Sequence, residues 1–338
     1  MSKTVKLAVT MGDPGGIGPE IALKAVCGRK WPSFVKFVLI GCRKVWLDYS
    51  KKFKLPAPPE CSIINQSNLP RVSLWEPSAL YTQAFHDAKW NPGKTGYLEG
   101  KSSIAFIRAA VALCMKRKFD GIVTGPICKK SIQTAGCRFP GHTEYLAHLA
   151  GHKKIAMMLI GGRLRVVLVT RHLPLASVVK VLTRRKIVEA VEMANLGIKW
   201  LKVPQKTIGI CALNPHAGDG GLIGKEESKI IIPAIETLRR KGIKVKGPIP
   251  ADVIFYQALH NKFGAVVAMY HDQGLGPLKM IAFENGVNLT LGLPFVRTSP
   301  DHGTAFDIAG RGIASSSSMV EAIKLAIQLA QRPNPWKK

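Results

Sequence analysis

Short apolar segments alternate with longer amphipathic segments along this chain, and the alternation restricts the fold more than any other feature. The apolar segments are rich in Val, Ile and Leu and lie at 5–10, 36–40, 121–124, 155–160, 165–170, 207–213, 265–270 and 287–291. Segments with helical periodicity lie at 102–116, 184–201, 226–240 and 319–331. Continuous apolar strands separated by helices are typical of parallel sheets covered on both faces. The sequence therefore predicts the α/β class.

One pair of these strands cannot be parallel. The segments 155–160 and 165–170 are separated by a short connection that contains Gly161, Gly162 and Arg163. A hairpin needs only a few residues, whereas two parallel strands need a crossover of a dozen or more. The sheet is therefore predicted to be mixed and mostly parallel. Residues 56–91, rich in Pro, Ser and Asn, are predicted to form an irregular surface excursion.

The chain is strongly basic, with 49 Lys and Arg against 21 Asp and Glu and a formal net charge of +28. Such a field attracts anions, including nucleic acid. The cations are nevertheless dispersed, and their densest runs, at 51–54, 116–118 and 239–241, fall at predicted helix ends and loops, where they also suit the helix dipole. A basic proteome or an anionic small substrate explains the charge equally well, so nucleic-acid binding is not the favoured interpretation.

The seven cysteines are odd in number and no two have CxxC spacing. This pattern argues against a disulfide framework or a Cys-rich zinc site and fits a reducing cytosol. No apolar run reaches membrane-spanning length. The segment 5–10 is not preceded by the basic and long apolar regions of a signal peptide. We therefore expect a cytoplasmic protein that does not associate with membranes.

A glycine-rich loop follows the first predicted strand, and residues 11–20 read Met-Gly-Asp-Pro-Gly-Gly-Ile-Gly-Pro-Glu. In α/β folds the loops at the carboxyl ends of strands build the site. Glycines before a helix can bring backbone N–H groups close to a phosphate. The spacing matches neither the GxGxxG fingerprint nor a Walker A loop. A tight structural turn and a ligand-binding loop are both compatible with this sequence.

Three histidines come directly after predicted strands. His172 follows the segment 165–170, His216 follows 207–213, and His271 follows 265–270. Neutral imidazoles that converge from neighbouring strand ends suit Zn²⁺, Co²⁺ or a similar ion. The alternative is that they are separate loop histidines that bond to backbone groups. A fourth, His142, lies in the string Gly-His-Thr-Glu at 141–144.

Two further groups of residues lie in the last quarter of the chain. Lys279, Asn288 and Arg297 could hold a phosphate or a carboxylate, or they could be solvated surface groups. Residues 301–312 read Asp-His-Gly-Thr-Ala-Phe-Asp-Ile-Ala-Gly-Arg-Gly. The glycines of this segment permit the backbone to wrap closely around a ligand.

These strings together resemble the 4-hydroxythreonine-4-phosphate dehydrogenase family. The resemblance rests on residues 11–20, 141–144, Asn-Pro-His-Ala-Gly at 214–218, Tyr-His-Asp-Gln-Gly at 270–274 and Asn-Leu-Thr-Leu-Gly-Leu-Pro-Phe-Val-Arg-Thr at 288–298. It extends from residue 5 to about residue 330, with Gly15 standing where the family commonly has Ala. Residues 302–314 also resemble the adenosine-binding loop of isocitrate and isopropylmalate dehydrogenases, which belong to the wider superfamily.

The resemblance implies an isocitrate/isopropylmalate dehydrogenase-like fold, with two α/β/α domains around a central cleft. Residues 1–140 plus 300–338 would form the domain on the cofactor side. Residues 141–299 would form the domain that carries the metal, the substrate and the dimer interface. The protein would be a homodimer with its site at the subunit interface.

The resemblance also implies the site residues. A divalent metal (Zn, Mg or Co) would be held by His172, His216 and His271, with ligands drawn from both subunits. The substrate and its phosphate would contact a set of polar residues: His142, Thr143, Lys279, Asn288 and Arg297. NAD or NADP would contact residues of the last loop: His302, Gly303, Thr304, Ala305 and Asp307.

The implied reaction is the NAD-dependent oxidation of 4-phosphooxy-L-threonine at C3, followed by decarboxylation to 3-amino-2-oxopropyl phosphate, in pyridoxine 5′-phosphate biosynthesis. The metal would act as a Lewis acid, and the general base would be Asp252, Lys279 or a water activated by the metal. Two alternatives differ in kind. One is a sibling dehydrogenase of another substrate, such as erythronate or threonate 4-phosphate, and the other is a basic nucleic-acid-binding protein on the same fold.

Overall fold

The computed structural model describes residues 3–61, 69–78, 90–139, 141–152 and 154–337, and the chain forms two compact units. The first unit comprises Met1–Lys153 and Leu293–Lys338, and the second comprises Lys154–Gly292. His142, Thr143 and Arg297 thus lie in the first unit, whereas the sequence-based division assigned them to the second domain. Within the predicted excursion at 56–91, residues 62–68 and 79–89 lie outside the described residues.

The described strands, in chain order, are β1 (Val5–Thr10), β2 (Val35–Ile40), β3 (Val72–Trp75), β4 (Gly121–Thr124), β5 (Ala156–Gly161), β6 (Leu164–Leu168), β7 (Ile208–Cys211), β8 (Val245–Ile249), β9 (Ala265–Ala268), β10 (Val287–Leu291) and β11 (Val296–Pro300). The described α-helices are α1 (Gly18–Cys27), α2 (Arg43–Lys52), α3 (Tyr97–Met115), α4 (Lys129–Thr134), α5 (His142–Leu149), α6 (Leu175–Val181), α7 (Arg184–Trp200), α8 (Ile232–Arg240), α9 (Ala251–Leu259), α10 (His271–Ala282) and α11 (Ser317–Ala330).

The first unit is built on a parallel sheet with the strand order β3-β2-β1-β4-β11. The strand β11 comes from the C-terminal segment and pairs in parallel with β4, with Arg297 opposite Ile122. The final helix α11 packs along β11 and β4. The C-terminal segment therefore completes the sheet that the N-terminal segment begins.

The second unit has a mixed sheet with the order β10-β5-β6-β9-β7-β8. β10 pairs antiparallel with β5, and β5 pairs antiparallel with β6. The predicted hairpin is confirmed, with Gly161 opposite Leu164 and Gly162 at a φ of 55° in its turn. β6 pairs in parallel with β9, β9 with β7, and β7 with β8.

The helices of the second unit bury apolar faces against this sheet. Thr183 caps α7 by accepting a hydrogen bond from the N–H of Lys186, at 3.3 Å. Ile187, Val191 and Ile198 of the same helix are fully buried. A cluster of buried residues joins α9 and α10 to β5, β6 and β9: Leu159, Val166, Leu168, Ile254, Phe255, Val266 and Leu278.

All four predicted helical segments contain helices, but the sequence missed three strands. β3 is short, and β8 contains Gly247 and Pro248, which weaken a strand pattern. β11 is entirely buried although it contains Arg297, Thr298 and Ser299. Buried polar residues conceal a strand from any search based on apolar runs.

The structure also bears on the cysteine and membrane predictions. All seven cysteines are free thiols in the structure. Among the described residues, none of the helices combines the length and apolar character required to cross a bilayer.

Candidate active site

The second unit gathers three strand ends at one edge of its sheet. β6, β9 and β7 are parallel neighbours, with Leu168 opposite Ala268 and Ile210 opposite Val267. Their carboxyl ends therefore lie side by side, where α/β folds build their sites. His172, His271 and His216 follow these strands. We call this region the histidine edge.

Two of the three histidines are in contact at this edge. The ring centroids of His172 and His271 lie 5.5 Å apart, with the rings tilted by 41°. Nδ1 of His271 lies 2.6 Å from Oδ1 of Asp272. A neutral imidazole that donates from Nδ1 keeps its Nε2 lone pair available for a ligand. Among the described residues, no three His, Cys, Asp or Glu side chains are grouped closely enough to hold a metal ion. His216 therefore does not form a three-ligand group with His172 and His271.

The loops that carry His172 and His216 have strained backbones. His172 has a φ of 45° and His216 a φ of 49°, both in the left-handed region. In the turn Pro215–Gly221, Ala217 and Asp219 also have positive φ. A residue with a Cβ loses about 1–2 kcal/mol in this conformation. Such strain persists only where surrounding contacts hold it, and it is concentrated at functional sites.

A buried carboxylate holds the start of the turn that carries His216. Glu227, which is 4% exposed, accepts hydrogen bonds from the backbone N–H groups of Leu213 and Asn214, both at 2.8 Å. Its second oxygen accepts a hydrogen bond from Nδ2 of Asn214 at 2.8 Å, and Glu226 accepts another from the same amide at 2.7 Å. At Leu213 and Asn214, hydrogen bonds to a side chain thus replace the backbone ladder.

The other candidate residues of the second unit lie on three different elements. Lys279, on α10, is half-buried with its Nζ 5.5 Å from the centroid of the Phe283 ring. Asn288, on β10, has a buried Oδ1 that accepts no hydrogen bond from the described residues. Asp252 is exposed in the first turn of α9. A buried acceptor without a donor costs about 1–3 kcal/mol, so Asn288 is suited to accept a hydrogen bond from a ligand.

In the first unit, Arg297 is a buried cation. Its side chain is 1% exposed, and its Nη2 donates a hydrogen bond to Oγ1 of Thr124 at 2.7 Å. Burial lowers the pKa of the Arg297 guanidinium to about 10, and the carboxylate of Glu144 opposes this shift without cancelling it. The guanidinium is therefore charged at neutral pH in surroundings that disfavour its charge.

His142 lies beside this cation, at the start of α5. Its Nε2 is buried and makes no hydrogen bond with the described residues. Burial, and then the charge of Arg297, lower the pKa of His142 well below its ordinary value, so the ring is neutral at pH 7. Thr143, the next residue, is 4% exposed. We call His142, Thr143, Thr124 and Arg297 the arginine pocket. Its cation and its helix start suit an anion with several acceptor oxygens.

Close backbone packing explains the glycines of the loop at 11–20. A Cβ on Gly18 would lie 2.1 Å from the carbonyl oxygen of Met11, and one on Gly16 would lie 2.9 Å from that of Thr304. The N–H of Ile17 donates to the same Thr304 carbonyl at 2.9 Å. The structural-turn interpretation therefore accounts for these glycines. The turn also contacts the predicted cofactor loop, through the hydrogen bond from Ile17 to Thr304.

The helix after this turn holds the far end of the predicted cofactor loop. Glu20, fully buried, accepts hydrogen bonds from the N–H groups of Ala314 at 2.9 Å and Gly312 at 3.2 Å. Lys24 donates to the carbonyl oxygens of the same two residues, at 3.0 and 2.8 Å, and pairs with Glu20 at 2.7 Å. Ile17 thus holds the loop at residue 304, and Glu20 and Lys24 of α1 hold it at residues 312–314.

Sequence reasoning missed several residues of this arrangement. Glu20 and Lys24 have the i,i+4 spacing of a helical ion pair, and Asp272 is adjacent to His271, so both contacts had a local signal. Thr124 and Glu227 had none, because the residues that they contact are distant in sequence or on another element.

Comparison with known proteins agrees with this architecture. The chain matches the family described as "Pyridoxal phosphate biosynthetic protein PdxA" over residues 35–326. A 4-hydroxythreonine-4-phosphate dehydrogenase from Sulfurihydrogenibium sp. is 41% identical over 327 residues, which are 96% of this chain and 98% of that relative. A D-threonate 4-phosphate dehydrogenase from Cupriavidus necator is 38% identical over 333 residues, covering 96% of this chain and 97% of the relative.

Solved structures show the same fold. The crystal structure of 4-hydroxythreonine-4-phosphate dehydrogenase from Klebsiella pneumoniae matches with a TM-score of 0.82 and 37% identity, covering 98% of this chain and 99% of that one. The predicted α/β class with mixed, mostly parallel sheets is confirmed. The family match covers most of the chain, and the relatives match it over nearly their full length. The chain therefore belongs to the PdxA family of pyridoxal phosphate biosynthetic proteins.

Proposed function

We propose that this protein is a nicotinamide-dependent dehydrogenase that oxidises 4-phosphooxy-L-threonine at C3. The hydroxyl loses a proton, C3 loses a hydride to NAD⁺, and the product is 2-amino-3-oxo-4-(phosphooxy)butanoate. This β-keto acid loses CO₂ to give 3-amino-2-oxopropyl phosphate, a step of pyridoxine 5′-phosphate biosynthesis. The observation that carries the proposal is the near full-length similarity to a dehydrogenase named for this substrate.

The arginine pocket is the proposed phosphate site. A dianionic phosphate would compensate the buried guanidinium of Arg297, whose desolvation is not offset by Glu144. His142, neutral at pH 7, offers either a donor or an acceptor at its buried Nε2. Thr143 adds a hydroxyl at the same helix start. In the second unit, the residues proposed for substrate binding are Lys279, a cation, and Asn288, whose Oδ1 is a hydrogen-bond acceptor.

The histidine edge is the proposed metal site. The contact between His172 and His271 and the position of His216 at the same edge suit Zn²⁺ or Co²⁺. Mg²⁺ is the third candidate ion of the proposal. A bound divalent cation would supply Lewis-acid chemistry that lowers the pKa of the substrate hydroxyl. Asp272 would hold the proton of His271 on Nδ1 and so orient that ring. Asp252 and Lys279 are the proposed candidates for the base.

The loop from His302 to Gly312 is the proposed nicotinamide cofactor site, for NAD or NADP. A Cβ on Gly303 would meet nothing within 4 Å, and Ala305 has a φ of 40°. Asp307 is exposed. The loop therefore has open space beside Gly303 and a strained backbone at Ala305. Hydrogen bonds from Ile17 and to Glu20 fix its two ends. The proposed contacts are those of His302, Gly303, Thr304, Ala305 and Asp307.

We propose a homodimer in which ligands from both subunits complete the metal site. Large apolar side chains of the second unit support this assembly: Leu222 is 87% exposed, Met280 88% and Phe283 75%. Exposed apolar groups of this kind mark interaction surfaces. A cytoplasmic location is proposed on the ground that all seven thiols are free, as in a reducing compartment.

A second candidate function is the oxidation of D-threonate 4-phosphate, which is the substrate named for a relative that is 38% identical. The test is a panel of 4-phosphooxy-L-threonine, D-threonate 4-phosphate and D-erythronate 4-phosphate, assayed by NADH formation with and without Zn²⁺, Mg²⁺ and Co²⁺. We expect the highest kcat/KM for 4-phosphooxy-L-threonine and a loss of turnover without metal. A higher kcat/KM for D-threonate 4-phosphate would replace the first proposal by the second.

A further inference from the structure

Gln273 joins two of the three strand ends at the histidine edge. Its side chain is 8% exposed. Its Oε1 accepts a hydrogen bond from the N–H of Met269 at 2.7 Å, and its Nε2 donates to the carbonyl oxygen of Ala212 at 2.7 Å. Met269 follows β9 and Ala212 follows β7, whose mutual register ends at Val267 and Ile210. The amide therefore links these strands beyond the end of their ladder.

Met269 is also bonded to the third strand end. Its carbonyl oxygen accepts hydrogen bonds from the N–H of Thr170 at 3.1 Å and from Oγ1 of Thr170 at 2.7 Å. Thr170 follows β6 and precedes His172 by two positions. Ala212 in turn precedes Leu213 and Asn214, whose N–H groups bond to Glu227. A continuous path of hydrogen bonds and chain thus connects the segments that precede His172, His271 and His216.

We infer that Gln273 is a positioning residue that, with Glu227, sets the relative positions of the three histidines. We call Thr170, Met269, Ala212, Gln273 and Glu227 the brace. The inference rests on the proposed function, since it is metal binding that requires the histidines to be positioned. Metal–ligand distances tolerate only about 0.2 Å, and two of the three histidines, His172 and His216, lie on strained backbone with positive φ.

The residue type at 273 follows from the two bonds. One partner is a donor and the other an acceptor, each at 2.7 Å, and both lie on buried residues. Only an amide satisfies both at this length. In Gln273→Glu a carboxylate would still accept from Met269 but would face the Ala212 carbonyl with a second acceptor. Gln273→Glu therefore breaks one bond at constant size, and Gln273→Ala breaks both.

The first measurement is a titration of the metal-free full chain with Co²⁺, followed by visible absorption. Loss of groups that orient metal ligands typically weakens metal binding by about 10- to 100-fold. We expect a loss of this size, with an altered absorption spectrum, in both Gln273 variants. The matched control is Val191→Ala, which truncates a fully buried side chain of α7 outside the brace and should keep wild-type Co²⁺ affinity. Wild-type affinity in the Gln273 variants would overturn the inference.

The second measurement is amide hydrogen exchange on the metal-free protein, which does not depend on the proposed metal site. If the brace is continuous, Gln273→Ala should accelerate exchange at Leu213 and Asn214, which bond to Glu227 and not to residue 273. Val191→Ala should leave these two amides as in wild type. If the wild-type chain binds no Co²⁺, the proposed metal site fails and the exchange result alone decides. Unchanged protection of Leu213 and Asn214 in Gln273→Ala would overturn the brace even where metal binds.

Discussion

Replacement of Arg297 by Met separates a phosphate-binding role from a structural one. Arg297 is 1% exposed and donates a hydrogen bond to Thr124. Its folded pKa, about 10, is below the ordinary value of 12.5, so the unfolded chain binds this proton more tightly and the buried charge destabilises the fold at neutral pH. Met fills similar space without a charge. Arg297→Met should therefore leave the free energy of unfolding unchanged or raise it.

Substrate binding should change in the opposite direction. A hydrogen bond to a charged group contributes about 1.5–3 kcal/mol. At about 1.4 kcal/mol for each factor of ten, the KM for the phosphorylated substrate should rise roughly 10- to 150-fold in Arg297→Met. Arg297→Lys keeps the charge but loses the planar fork, so its KM should lie between those of wild type and Arg297→Met.

Two assays on the same variants test this reasoning. Steady-state NADH formation gives KM and kcat, and urea denaturation gives the free energy of unfolding. If Arg297 served only to hold the fold, breaking its buried contacts would lower the free energy of unfolding by about 3–5 kcal/mol. That loss of stability, together with an unchanged KM, would show that the arginine pocket does not bind the phosphate.

Three other substitutions test the remaining assignments. His216→Asn should lower kcat more than 100-fold, because Asn cannot replace an imidazole ligand. The fold should stay intact, since Asn tolerates the φ of 49° at this position. Near-normal turnover would exclude His216 from the site, and His260→Asn is the control. Asp307→Ala should raise the KM for NAD about ten-fold without changing the KM for the substrate. A higher KM for the substrate alone would show that this loop does not bind the cofactor. His142 has a folded pKa below its ordinary value of 6.5, so the unfolded state protonates first as pH falls. The free energy of unfolding should therefore drop below about pH 6.5, by up to about 1.4 kcal/mol per pH unit. Urea melts of His142→Asn should lack this slope.

Local patterns in the sequence predicted much of the second unit. The apolar segments at 155–160, 165–170 and 265–270 contain β5, β6 and β9, and the short connection at 161–164 predicted the hairpin. The three histidines at strand ends were also visible, because the residues that follow a strand are adjacent to it in sequence. What these patterns could not show is that only His172 and His271 are brought into ring contact in the described chain.

The first unit was less predictable from its sequence. β11 carries Arg297 into the interior, which contradicts the rule that charged residues stay outside. Lys279, Asn288 and Arg297 are close in sequence, yet the first two belong to the second unit and Arg297 to the first. The glycines at 11–20 suggested a ligand loop or a turn, and the contact with Thr304 that explains Gly16 comes from the other end of the chain.

The sequence by itself determined the α/β class, the antiparallel hairpin and the candidate histidines, because each depends on residues within about twenty positions of one another. The tertiary structure alone decided how the site is held. The hydrogen bond of Arg297 to Thr124 spans 173 positions, that of Gln273 to Ala212 spans 61, and that of Ala314 to Glu20 spans 294. No local pattern encodes such pairs. They form because folding brings buried donors and acceptors together, where leaving either one without a partner would cost more than the bond itself contributes.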